Sequence, residues 1–279
     1  MIPELPRLKV SRSANPGYTE LGTTRSFRVR DVTMGDGSCV VIAGPCTVES
    51  REQTLATARA VKAAGARMLR GGAYKPRSSP YAFQGLGLAG LEILAEARAE
   101  TGLPIVTEVL DPRLVGVVGE VADMIQLGSR SMQNFPLLTE VGRFGKPVLL
   151  KRGFGATVEE WIYAAEYVAL AGTLDIVMCE RGIRTFANGS YDRATLDFAA
   201  VRAVREATPF PVIIDPSHAA GRAALVPDLA AAALGLGVDG LLIEVILPSA
   251  ARALCDAEQG ITPEAMRLIV ERARERVLV

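Results

Sequence analysis

Residues 39–64 read CVVIAGPCTVESREQTLATARAVKAA, and this stretch sets the pattern for the rest of the chain. Its first seven residues form a short apolar run rich in β-branched side chains, which predicts a strand covered on both faces. The following segment, 51–64, is Ala-rich with apolar residues at helical spacing and predicts a helix. The strand-like run recurs as RMLRGG (67–72), PIVTEV (104–109), DMIQLG (123–128), PVLLK (147–151), DIVMCE (175–180), PVIIDP (211–216) and DGLLIEV (239–245). Helical segments at 88–101, 157–171, 194–206, 224–235 and 263–276 fall between the runs, and the shorter links after 104–109 and 123–128 each have room for one. Repetition of this unit around the chain predicts an α/β protein folded as a single (β/α)8 TIM barrel over residues 39–279. A doubly wound open sheet needs fewer units, and no Gly-rich dinucleotide fingerprint follows the first run. Upstream, residues 1–38 predict a polar arm and a short hairpin: an extended run over Ser26–Thr33, a turn at 34–38 around Asp36-Gly37, and a return into Cys39.

The bulk numbers narrow the function. The chain has 279 residues, 49% hydrophobic and 22% charged, with 31 basic and 31 acidic side chains and zero formal net charge. Such a balance gives no global attraction to nucleic acid or to an anionic membrane, so anion recognition has to come from local clustering. No apolar run reaches bilayer length and no signal core opens the chain, which makes a cytoplasmic location the expectation. The four cysteines are too sparse for a disulfide scaffold.

Catalytic groups of a TIM barrel sit at the C-terminal ends of its strands, and the unusual residues of this sequence fall there. One set is cationic: Arg70, Lys75, Arg77, Arg130, Lys151, Arg181 and Arg184 follow four of the runs. One such arginine alone would read as a surface charge; several facing one mouth call for phosphate or carboxylate guests between them. A second set offers metal donors. Cys46 follows the first run, His218 (the only histidine) the seventh, Glu244 ends the eighth and Asp256 lies in the next loop. The first, seventh and eighth strands lie together when the barrel closes, so these four can meet. A thiolate, an imidazole and carboxylates suit a divalent first-row metal without choosing one. Without a metal, Cys46 would read as a thiol nucleophile with His218 as its base. Glu108 ends the third run as a further candidate acid or base.

The motifs IAGPCTVES (42–50), LRGGAYKPRSSPYAFQGLG (69–87), QLGSRSMQNFPLL (126–138), KPVLLKRG (146–153), CERGIRTF (179–186), DPSHAAGR (215–222) and DGLLIEV (239–245) resemble, in order, those of the 3-deoxy-D-arabino-heptulosonate 7-phosphate (DAHP) synthases of the type Iβ group. That group includes the related 3-deoxy-octulosonate 8-phosphate synthases. Lys75-Pro76-Arg77-Ser78 favours the heptulosonate branch, as does Gln84-Gly85-Leu86-Gly87. The resemblance implies a transferase of aldolase type at the first step of the shikimate pathway, which leads to the aromatic amino acids. It condenses phosphoenolpyruvate with erythrose 4-phosphate. It implies Cys46, His218, Glu244 and Asp256 as ligands of one divalent metal ion (manganese, iron, zinc or cobalt). It implies Arg70, Lys75, Arg130, Lys151 and Arg181 as the phosphoenolpyruvate site, and Arg77 and Ser78 as the site for the aldose phosphate. Lys75, Arg70 and Glu108 become the catalytic residues, and a homodimer or homotetramer becomes the expected assembly, with helices 224–235 and 263–276 available for an interface.

The match departs from the family after Glu244-Val245, where a His-containing pair is usual and this chain has Ile246-Leu247. Ile can neither donate nor accept a hydrogen bond. Cys255 stands where Ser is more usual. The arm leaves no room for the regulatory domain some relatives carry, so feedback control through such a domain is not expected. A paralogue acting on another phosphorylated aldose and a non-catalytic barrel are the competing readings.

Overall fold

The computed structural model describes residues 24–186, 191–247 and 253–275; the expected polar arm lies almost wholly outside them. A two-stranded antiparallel hairpin, β1 (Phe27–Val29) and β2 (Val32–Met34), precedes the barrel strands β3 (Val40–Gly44), β4 (Met68–Arg70), β5 (Ile105–Glu108), β6 (Met124–Leu127), β7 (Val148–Lys151), β8 (Ile176–Glu180), β9 (Val212–Ile214) and β10 (Gly240–Glu244). The eight close in sequence order into a parallel barrel, with β10 paired to β3 from Gly240↔Val40 to Glu244↔Gly44. Each barrel strand lies within its expected run.

Helices fill the outer ring: α1 (Arg51–Ala63), α2 (Leu88–Thr101), α3 (Val115–Val121), α4 (Phe135–Phe144), α5 (Val158–Ala171), α6 (Phe198–Ala207), a short α7 (Pro216–Ala220), α8 (Val226–Gly235) and α9 (Pro263–Glu275). Local chemistry fixes their starts. Ser50 caps α1 by accepting from the Gln53 amide, and Thr157 and Glu160 cap α5 reciprocally. The helix expected at 194–206 begins only at Phe198. Thr195 is held in a bridge to Ile183, and the Asp197 side chain caps from the Ala200 amide. Among the described residues no helix is long and apolar enough to cross a membrane.

The hairpin also differs from expectation. It turns at Arg30-Asp31, with Arg30 at φ 55°, whereas Asp36-Gly37 sits in the link to β3, where Asp36 accepts from Ser38. Burial decides this register. Phe27, Val29, Val32 and Met34 are buried, and they cluster with Val40, Ile42, Met68, Val106, Met124, Leu149, Val177, Ile213 and Leu242. The latter are the inward side chains of the barrel strands, so the hairpin plugs the N-terminal end of the barrel. Outward side chains of the same strands, such as Val41, Leu69, Ile105 and Leu241, join the separate core beneath the helices.

Strand side chains alternate, so the next inward position after the apolar layer lies at or one residue past each strand end. Reading two residues on from Met68, Val106, Met124, Leu149, Cys179, Ile213 and Leu242 gives Arg70, Glu108, Gln126, Lys151, Arg181, Asp215 and Glu244. The plugged apolar barrel thus lifts a polar layer to its C-terminal mouth. On β3 that position is Gly44, at φ 154°; a side chain there would run into the Arg70 carbonyl. This close approach of β3 to β4 carries Cys46 into the mouth.

Candidate active site

The four expected donors converge. One ligand atom each from Cys46, His218, Glu244 and Asp256 lies within 4.8 Å of the others. Cys46 Sγ is 3.9 Å from His218 Nε2 and 3.2 Å from Asp256 Oδ2, and His218 Nε2 is 3.8 Å from Glu244 Oε2. Burial holds the His218 pKa down, which favours the neutral imidazole, and its Nδ1 lies 2.8 Å from Asp215 Oδ2. A carboxylate at Nδ1 leaves Nε2 to face the cluster. Burial, with Cys46 and Asp256 nearby, pushes the Glu244 carboxyl well up, and its Oε1 is buried with no hydrogen-bond partner. Such an orphan costs about 1–3 kcal/mol. A cation at the cluster would satisfy it, and the donor set suits a divalent first-row ion. These residues therefore fit a metal.

Six of the seven expected cations line one cavity beside the cluster, about 280 Å³ in volume. Arg70 is buried, donates to the Cys46 carbonyl at 3.1 Å and leaves Nε and Nη1 without a hydrogen bond, although Nη1 forms an ion pair with Glu244 Oε2 at 3.5 Å. Lys75 Nζ stands 2.6 Å from Cys46 Sγ and 3.5 Å from Asp256 Oδ2. Burial disfavours its ammonium, but Cys46, Cys255 and Asp256 more than offset this and raise its pKa. Lys151 pairs with Asp215 at 2.7 Å. Arg181 donates to the His218 carbonyl, and Arg130 to Ser78 Oγ at 3.4 Å. Arg77 donates to Cys255 Sγ at 2.6 Å. Glu108 lines the floor with its pKa raised by burial; Gln126 donates to it at 3.2 Å. Gly128 lies against that carboxylate so closely that any side chain there would displace it.

Arg184, expected in the cationic ring, faces a neighbouring cavity with Arg193 and Asp256. Its guanidinium still packs on the Phe154 ring at 4.7 Å, as do those of Arg181 at 4.9 Å and Arg130 at 5.1 Å. Ile246 lies against Gly260, where a side chain would strike it. Sequence reading missed Gln126, Phe154, Arg193 and Gln259. Gln126 carried a signal, since it holds the same inward position on β6 that Glu108 holds on β5. The other three lie in loops where no periodicity marks them.

Residues 10–278 match the DAHP synthetase I family. The chain belongs to that family. It is 45% identical over 266 residues to the phospho-2-dehydro-3-deoxyheptonate aldolase of Thermotoga maritima, covering 95% of this chain and 76% of that one. It is 34% identical over 255 residues to a 2-dehydro-3-deoxyphosphooctonate aldolase of Syntrophotalea carbinolica, covering 85% and 90%. Among solved structures, the Thermotoga maritima DAHP synthase superposes with a TM-score of 0.84 at 44% identity, over 90% of this chain and 72% of that chain. Membership of the DAHP synthetase I family makes the chain an aldolase-type enzyme.

Proposed function

We propose that this enzyme condenses phosphoenolpyruvate with erythrose 4-phosphate, giving DAHP and inorganic phosphate, through the residues gathered at the barrel mouth. The observation that carries the residue assignment is the position of Lys75. Its ammonium touches Cys46 and Asp256 of the donor cluster while lining the anion cavity, which makes the two a single site.

Cys46, His218, Glu244 and Asp256 hold the divalent ion, which when bound supplies Lewis-acid polarisation of the aldose carbonyl. Arg70, Lys75, Arg130, Lys151 and Arg181 bind the phosphate and carboxylate of phosphoenolpyruvate, and the guanidinium nitrogens of Arg70 that make no hydrogen bond are placed to take up such an anion. Arg77 and Ser78 bind the aldose phosphate. With both guests aligned, carbon 3 of phosphoenolpyruvate attacks the aldehyde carbon, and Lys75 delivers a proton to the new alkoxide. Water adds at carbon 2, with Glu108 taking its proton; a carboxylate of raised pKa is the better base. The carbon–oxygen bond to phosphate then breaks, and the surrounding guanidiniums stabilise the departing charge.

Residues 39–279 form the catalytic barrel in this reading, residues 1–38 its arm and hairpin, and the location is cytoplasmic. Self-association into a dimer or tetramer belongs to it too. Exposed Phe135, Tyr163, Tyr167 and Leu170 on α4 and α5 offer more apolar surface than Leu236 and Leu268 near α8 and α9. The test is direct: supply manganese, phosphoenolpyruvate and erythrose 4-phosphate, then follow enolpyruvate loss and phosphate release. Both are expected at equal rates; neither occurring with any first-row divalent ion overturns the assignment.

A further inference from the structure

We propose that Arg193 and Gln259 form a brace that sets the spacing of the two carboxylate ligands, Asp256 and Glu244; this rests on the metal reading above. Arg193 Nη1 donates to Asp256 Oδ1 at 2.9 Å and to Gln259 Oε1 at 2.8 Å. Gln259 Nε2 donates in turn to Glu244 Oε2 at 2.7 Å. One continuous path of hydrogen bonds therefore joins a ligand on the last barrel strand to a ligand on the loop beyond it.

The side-chain chemistry explains why these residue types stand here. Gln259 is buried and must accept from a guanidinium on one side and donate to a carboxylate on the other. An amide does both. Glu at this position would repel Glu244, and Leu would leave both partners unsatisfied. Asp256 needs support because its backbone sits at φ 51°, in the left-handed region. The backbone anchors the same loop: the Gln259 amide donates to the Asp256 carbonyl, the Ile261 amide to the Glu244 carbonyl and the Ile246 amide to the Ile261 carbonyl. The Ile246 side chain makes apolar contact with Gly260, so besides the longer Arg70–Glu244 and Lys75–Asp256 pairs, both 3.5 Å, the carboxylates are oriented by Arg193 and Gln259. Groups behind metal ligands fix ligand direction, and losing one typically costs about 10–100-fold in affinity.

The experiment measures manganese binding to the metal-stripped full chain by the electron paramagnetic resonance signal of free manganese. Gln259→Leu is expected to weaken binding about 10–100-fold and Arg193→Met about 10-fold. The double variant is expected to be no weaker than about the worse single, because the two act as one unit. Arg193→Lys is expected to recover part of the loss. Arg193 is half exposed, so its variant tests the brace without risk to the core. At saturating manganese Gln259→Leu, which lies outside the anion cavity that Arg193 also lines, keeps the wild-type KM for each substrate. Binding within about twofold of wild type in either single variant overturns the proposal, as does a raised KM for the aldose with unchanged manganese affinity, which would make Arg193 a substrate contact. Cys46→Ala is the control on the metal reading: if it binds manganese like wild type, that reading fails and the brace with it.

Discussion

The two ends of this barrel solve opposite problems. The N-terminal end is closed by Phe27, Val29, Val32 and Met34, apolar side chains packed on the inward residues of the strands. The C-terminal end, two residues further along the same strands, carries Arg70, Lys151, Asp215 and Glu244 at 5% exposure or less. Burying apolar surface stabilises a fold at about 25 cal/mol per Å². Burying charge costs several kcal/mol per ion unless partners are well placed, and here two nitrogens of Arg70 and one oxygen of Glu244 make no hydrogen bond. The plugged end supplies stability, and the open end uses some of it to hold groups poised for anionic guests and a cation.

If this division is right, substitutions at the two ends separate activity from stability. Cys46→Ala should give the largest effect: a loss of turnover beyond the ~10–100-fold typical of groups behind metal ligands, with a thermal unfolding midpoint close to wild type for the metal-free protein. Near-normal steady-state kinetics in that variant would break the comparison at its strongest point. Phe27→Ala and Met34→Ala should do the reverse, each costing about 3 kcal/mol in denaturant unfolding while kcat stays within a few-fold at a temperature where the fold survives. Gly128→Ala tests the seam between the ends. Its new methyl group displaces the Glu108 carboxylate, and a reactive group misplaced by about 1 Å costs up to ~10²-fold in kcat, with manganese affinity unchanged.

The smallest expected effect concerns pH. Burial raises the Glu108 pKa above its unfolded value, so between the two the native state binds a proton that the unfolded chain has released. Its contribution therefore falls as pH rises from the ordinary carboxylate range through the raised pKa, and levels off above it. Glu108→Gln removes this slope. Unfolding free energies of both proteins across that range should differ most at the alkaline side, with the variant the more stable. A constant difference would mean that Glu108 keeps an ordinary pKa in the native barrel.

The comparison also explains what the sequence revealed. All eight strands were legible because strands buried on both faces become short apolar runs. The donors were legible because a lone His and a Cys stand at the ends of such runs. The hairpin turn was misread because Asp36-Gly37 has the better turn chemistry, yet burial of Phe27 through Met34 fixes the turn at Arg30. Neighbours were harder to sort. Lys151 faces the cavity, whereas Arg152, one residue on, faces outward into a buried pair with Glu180 and a second bond to Asp197. Strand periodicity separates them, but only once the inward phase is known from Leu149. Arg193 and Gln259 stayed hidden because their partners come from other loops and strands, and nothing in their local sequence announces those meetings.

The hairpin plug has a consequence for the order of assembly. Phe27 and Met34 precede every barrel strand in the chain, yet their cluster includes Leu242 on the last one. During synthesis the stopper emerges before every strand of its socket. Closure across more than two hundred intervening residues is slow, since such contacts come only after a long loop has been ordered. This apolar hairpin thus leaves the ribosome long before the place it fills is complete.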